Sequence, residues 1–133
     1  YKGWNIGLAL CADIGFPEVS RILALNKAEL IMFPSAWAVP NTPDDKIWEL
    51  TLRARAVENQ LYVAGVNRTG KGGLTTYCGQ TMMINPCGNI IKSLNLEEGT
   101  VLTEINKEKI IKRRKEIPWL EYRIPKAYKD ILK

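Results

Sequence analysis

The chain of 133 residues contains no histidine, so the commonest general base is absent and no Cys-His or Ser-His pair can form within it. Cysteine is scarce as well. Cys11, Cys78 and Cys87 are odd in number and show no Cys-x-x-Cys spacing, which argues against a structural zinc site and against the disulfide framework of a small secreted domain. A reducing cytoplasm is the expected compartment, and neither a metal nor a cofactor is expected. Long hydrophobic runs are missing too, because the apolar stretch that starts at Ile6 is broken by Asp13, well short of the ~20 residues that cross a bilayer. No stretch combines a charged start, an apolar core and a cleavage site, so no membrane partner is expected.

What is present is ordinary for a folded protein. With 46% hydrophobic and 25% charged residues the chain can fill a core and is expected to form one domain rather than a disordered segment. The formal charge is +5, and Lys107, Lys109, Lys112, Arg113, Arg114 and Lys115 are crowded together. Glu108 and Glu116 interrupt that run while Ile110 and Ile111 mark an apolar side. It therefore reads as a solvated helix or the rim of an oligomer, and no nucleic acid is expected as a partner.

Residues 4–10 have the pattern of a buried strand and residues 29–33 that of another, with a helix between them that starts at Pro17 and repeats Val19, Ile22 and Leu23. This is a βαβ unit with parallel strands, and ligands of such sheets bind beyond the strand C-termini. Cys11 and Ser35-Ala36-Trp37 both fall there and are expected to face one substrate pocket. A second helix is expected with Thr42 as cap, Pro43 at its first position, Asp44 and Asp45 in its first turn, and a buried stripe of Ile47, Leu50, Ala54, Val57 and Leu61. Further strands are expected over 61–66, 80–84, 89–93 and 101–105, a flexible loop over 67–73, a short helix over 107–115, and an extended arm after Pro118.

The chemistry centres on Cys11, placed where a strand ends and a helix begins, a position that presents a thiol and favours negative charge beside it. A free thiol of ordinary pKa, about 8.5, is only a few per cent ionised at neutral pH, so attack on an unactivated amide needs a base and oxyanion donors as well. The backbone N–H of Ala12 is the expected donor. Asp13 is expected to anchor the turn, and Glu58 to be either a buried structural carboxylate bonded to neighbouring backbone or to Arg55, or a supporting group behind the pocket. Trp37 and Tyr62 offer pocket surface.

The segment Cys11-Ala12-Asp13-Ile14-Gly15-Phe16-Pro17-Glu18, with Ile31-Met32-Phe33-Pro34-Ser35-Ala36-Trp37, Arg53-Ala54-Arg55-Ala56-Val57-Glu58-Asn59 and Gly79-Gln80-Thr81-Met82-Met83-Ile84-Asn85-Pro86-Cys87-Gly88, resembles the nitrilase superfamily of carbon-nitrogen hydrolases. The resemblance implies an α/β fold, half of an α-β-β-α sandwich with one mixed sheet and helices on one face. Residues 1–133 would then be the C-terminal half of a domain roughly twice as long, with the missing N-terminal half as partner. It also implies a glutamate base and a lysine contributed from upstream of the cysteine, whereas the ten residues before Cys11 contain Lys2 and no glutamate. Ala12 stands where many relatives carry an aromatic residue, which implies a wider pocket. The implied activity is hydrolysis of a non-peptide carbon-nitrogen bond in a small amide or carbamoyl compound through a cysteine thioester, by a homo-oligomer. Alternatives are acyl or ammonia transfer by the same thioester, and a catalytically silent fragment or assembly subunit.

Overall fold

A computed structural model describes residues 1–38 and 46–132. Strand β1 (Ile6–Leu8) runs into a 3-10 helix (Cys11–Gly15), then α1 (Pro17–Leu25), β2 (Leu30–Ser35), α2 (Ile47–Asn59) and β3 (Tyr62–Asn67). A hairpin of β4 (Thr69–Gly72) and β5 (Thr75–Cys78) follows, then β6 (Met82–Ile84), β7 (Ile90–Ser93), α3 (Lys107–Glu116) and a second 3-10 helix (Pro125–Leu132). The main sheet has the order β1-β2-β3-β6-β7. Its first three strands are parallel, with Leu8 beside Met32 and Met32 beside Ala64, and β6 and β7 are added antiparallel. The sheet is therefore mixed, as expected.

The strand period of two divides the apolar residues between the faces. Ile31, Phe33, Val63, Met82 and Ile84 point to the face covered by α1, through Val19, Leu23 and Ala24, and by α2, through Trp48, Leu52 and Ala56. The fit is close at Gly65, where an added Cβ would stand 2.5 Å from Leu52 Cδ1 and 2.8 Å from Trp48 Cζ2. Leu30, Tyr62 and Ala64 point the other way and are covered at one end by Trp4, Ile105 and Ile110 of α3. Toward the C-terminal ends of the parallel strands that second face is open, with Leu8 68% and Val66 44% exposed.

Several elements differ from the sequence expectation. In α2 the buried side is Trp48, Leu52, Arg55, Ala56 and Asn59, whereas Ile47 and Leu50 are exposed, as is Ala54. Apolar residues lie on both sides of this helix, and the side that meets the sheet is the one carrying the large Trp48 and Leu52 rings and branches opposite Gly65. Thr42, Pro43, Asp44 and Asp45 fall outside the described residues. The expected loop over 67–73 is instead the start of the β4–β5 hairpin, stiffened by the Arg68 guanidinium 4.3 Å from the Tyr77 ring centre. Residues 101–105 pair with no strand, and after Pro118 the chain turns, with the Glu121 and Tyr122 N–H groups both donating to the Pro118 carbonyl, and then winds into the second 3-10 helix rather than an extended arm. Among the described residues no helix is long and apolar enough to cross a membrane.

Candidate active site at the Cys11 turn

Strand β1 stays with its neighbour until the Ala9 N–H donates to the Met32 carbonyl at 3.1 Å, after which the chain leaves the sheet. Cys11, the first residue of the 3-10 helix, has φ +43°. For a residue with a side chain that left-handed conformation costs about 1–2 kcal/mol, so the surroundings must enforce it. Asp13 does part of this, since its Oδ2 accepts the Leu10 N–H at 2.8 Å and its own N–H donates to the Leu10 carbonyl at 2.9 Å. Ile14 adds a fully buried anchor. Ala12 is exposed, and its N–H is one of the donors that a helix start leaves without an intrahelical acceptor.

The 3-10 helix is also fastened to α2. Arg55 is buried, and its Nε and Nη2 donate to the Ile14 carbonyl at 3.0 and 2.8 Å. Its third edge, Nη1, donates to Glu58 Oε1 at 3.0 Å, and Asn59 Nδ2 donates both to that same carboxylate oxygen and to the Arg55 carbonyl. Glu58 is thus bonded to the same guanidinium that holds the Ile14 carbonyl. The sequence offers Arg55 only as a companion of Glu58. A charged residue and Asn59 lying four apart on the Trp48-Leu52 face, where solvent-facing residues do not belong, are the signal that marks it.

Ser35, Ala36 and Trp37 reach the same edge of the sheet as Cys11, because β1 and β2 run parallel in register and both end there. The Ser35 hydroxyl turns back to the Phe33 carbonyl at 3.3 Å, while the Ser35 carbonyl receives the Arg68 N–H at 3.0 Å. Ala36 is exposed. Trp37 is half-buried against Trp48, ring centres 5.9 Å apart, and its N–H donates to Asn67 Oδ1 at 2.7 Å. Asn67 also donates to the Cys78 sulfur at 3.1 Å and to the Gly79 carbonyl at 2.8 Å, so it fastens β3, β5 and the Trp37 segment together. Tyr62 does not belong with this group: it is buried at the opposite end of the strands, exchanging hydrogen bonds with the Asn106 main chain.

The three thiols stand in different surroundings. Cys78 is buried, and burial pushes its pKa up against the opposing Asn67 hydrogen bond. Cys87 is exposed on the Asn85–Gly88 turn, and Cys11 is half-buried at the strand-to-helix junction. Of the two carboxylates expected to support the site, Asp13 accepts the Leu10 N–H and Glu58 is bonded to Arg55 and Asn59. Among the described residues no three His, Cys, Asp or Glu side chains group to hold a metal ion.

Comparison with known proteins bears on this arrangement. The profile of the carbon-nitrogen hydrolase family matches residues 1–115. A Pseudomonas protegens protein named as the hydrolase in the pqqF 5′ region is 38% identical over 131 residues, which cover 98% of this chain and 45% of that one. A solved carbon-nitrogen hydrolase from Helicobacter pylori G27 superposes with a TM-score of 0.88 at 28% identity, over 96% of this chain and 49% of that one. A mutant of the amidase from Nesterenkonia sp. AN1, with the acetamide moiety of fluoroacetamide added covalently at its active-site cysteine, superposes with a TM-score of 0.81 at 25% identity, over 98% of this chain and 45% of that one. The chain spans about half the length of the curated relatives it matches.

Proposed function

Because the chain belongs to the carbon-nitrogen hydrolase family, within the nitrilase superfamily, we propose that it carries the nucleophile of an enzyme that hydrolyses a small amide or carbamoyl compound. The observation that carries the reading is the left-handed Cys11 backbone at the junction of β1 and the 3-10 helix, held there by Asp13 and Ile14. A sharp turn of this kind lifts a nucleophilic side chain clear of the sheet. The covalent adduct on the cysteine of the related amidase supports it further.

In this reading the Cys11 thiolate attacks the substrate carbonyl, and the oxygen of the tetrahedral intermediate gathers negative charge beside the Ala12 N–H. The carbon-nitrogen bond breaks, the nitrogen takes a proton and leaves as ammonia or an amine, and a thioester remains on Cys11. Water then adds to the thioester carbonyl, the carbon-sulfur bond breaks, and acid and thiol are released. Ser35, Ala36 and Trp37 form the neighbouring wall. With Asp13 and Glu58 committed elsewhere, the base that takes the thiol proton and the cation that faces the intermediate come from a segment beyond these residues, as the family resemblance implies. Delivery of the same thioester to an amine would make the enzyme a transferase. That outcome is separated from hydrolysis by product analysis with and without an added amine.

The test is amide turnover by the chain assembled with its complementing segment. Cys11→Ala is expected to abolish turnover, while Cys78→Ser and Cys87→Ser retain most of it. The 133-residue chain alone is expected to be at least ~10²-fold slower than the assembled enzyme, the usual contribution of a general base. Full activity in Cys11→Ala protein overturns the mechanism.

A further inference from the structure

Arg55 makes an unusual use of its guanidinium. Two of its N–H groups are spent on one main-chain carbonyl, that of Ile14, 41 residues away in sequence. A buried arginine whose role was only to satisfy a carboxylate would turn its paired edge to Glu58, yet Glu58 receives just Nη1. Ile14 lies three residues after Cys11, so in a 3-10 helix its N–H belongs to the turn that starts at the Cys11 carbonyl. A pull on the Ile14 carbonyl is therefore a pull on the 3-10 helix that Cys11 opens. At the start of that helix Asp13 fixes the N–H of Leu10, the residue before Cys11. The left-handed Cys11 is the residue between these two restraints.

We infer that Arg55 is a positioning residue for the reactive cysteine: by gripping the Ile14 carbonyl with two donors it holds Cys11 in the left-handed conformation, and Glu58 and Asn59 orient the guanidinium for that grip. The inference deepens the reading of Cys11 as nucleophile and rests on it only for its catalytic meaning, since the grip itself is a property of the turn. Arg53, on the same helix but paired in solvent with Glu49 at 2.9 Å and bonded to the Gly88 carbonyl, is directed to those partners and serves as the control.

The molecule supplies its own internal standards for a test on the full chain. Iodoacetamide labelling, followed by mass spectrometry, gives the rate at Cys11 relative to the exposed Cys87, and protection of the buried Cys78 reports that the fold is intact. The three-bond coupling between the Cys11 amide and α protons, read together with the intraresidue amide-to-α NOE that is strong only at positive φ, reports whether Cys11 is left-handed. In Arg55→Gln protein that keeps Cys78 protected, the Cys11 coupling is expected to leave its left-handed value and the Cys11-to-Cys87 labelling ratio to change at least fivefold. Arg53→Gln is expected to leave both within twofold of the unsubstituted chain. Should Arg55→Gln expose Cys78, Arg55→Lys decides, because it keeps the charge but offers a single point donor in place of the fork, and it is expected to show the same two changes. An unchanged coupling and ratio in either folded Arg55 variant overturns the inference. If those changes occur while Cys11→Ala leaves turnover of the assembled enzyme intact, the grip stands and the nucleophile reading falls.

Discussion

At the scale of single residues the protein is organised around one strained backbone. Cys11 is held at φ +43° by contacts from its own loop and from a helix distant in sequence. Two hydrogen bonds from a charged donor are each worth about 1.5–3 kcal/mol, enough together to outweigh the ~1–2 kcal/mol cost of a left-handed residue. Asp13 contributes by a different route, its carboxylate accepting the Leu10 main-chain N–H. Asp13→Ala is accordingly expected to lower unfolding free energy by about 1–2 kcal/mol in denaturant titration, the penalty of a lost cap or an unpaired donor. Asp13→Asn, which keeps an oxygen in place, is expected to recover most of that loss. Equal destabilisation by the two would show that the carboxylate charge, rather than the hydrogen bond, is what the turn needs.

At the scale of elements, α3 is tied to the start of β2 by one ion pair. Lys107 Nζ meets Glu29 at 2.9 Å, while the Asn5 N–H donates to the same carboxylate at 2.9 Å. Burial pushes the Glu29 carboxyl up, but the Asn5 N–H and the Lys107 ammonium outweigh it and hold the carboxyl below its ordinary value. A carboxyl with a folded pKa below its unfolded one adds stability above the unfolded value, and that stability is lost as pH falls through the folded value. The attachment of α3 is thus expected to loosen on the acid side of the ordinary glutamate range. Because the Lys107 ammonium also lies 5.2 Å from the Trp4 ring centre, tryptophan emission should follow the change. Glu29→Gln is expected to remove the acid-dependent step. Its persistence in that variant would assign the step to another group.

At the scale of the whole molecule, the sheet has one face closed by α1 and α2 and a second face closed only at the α3 end. Leu8 and Val66 remain open on that second face, beside the edge where Cys11 leaves the sheet. Exposed apolar side chains on a sheet face favour association, and the proposed complementing segment or a second copy would bury them. The isolated chain is expected to self-associate in light scattering and to bind an apolar dye. Leu8→Lys, at a 68% exposed position, is expected to shift it toward monomer without lowering its unfolding midpoint. A monodisperse wild-type monomer that binds no dye would contradict this account of the open face.

The sequence by itself determined the βαβ unit and the place of Cys11 within it, because short apolar runs bounded by Gly, Pro and charged residues have few other ways to fold, and a strand that stops at a thiol is a local feature. It also determined the helix at 107 and the turn at Asn85-Pro86-Cys87-Gly88, where the cap of Asn106 on the Glu108 N–H and the Asn85 side chain on the Cys87 N–H are local chemistry. Only the tertiary structure decided which side of α2 faces inward. Ile47, Leu50 and Ala54 compete with Trp48, Leu52 and Ala56 along that helix, and the choice depends on Gly65, on a strand that the helix meets only after the chain has folded back. The same docking brings Arg55 to the Ile14 carbonyl across 41 residues, a contact that no spacing records, because a hydrogen bond to main chain carries no side-chain signature at its acceptor.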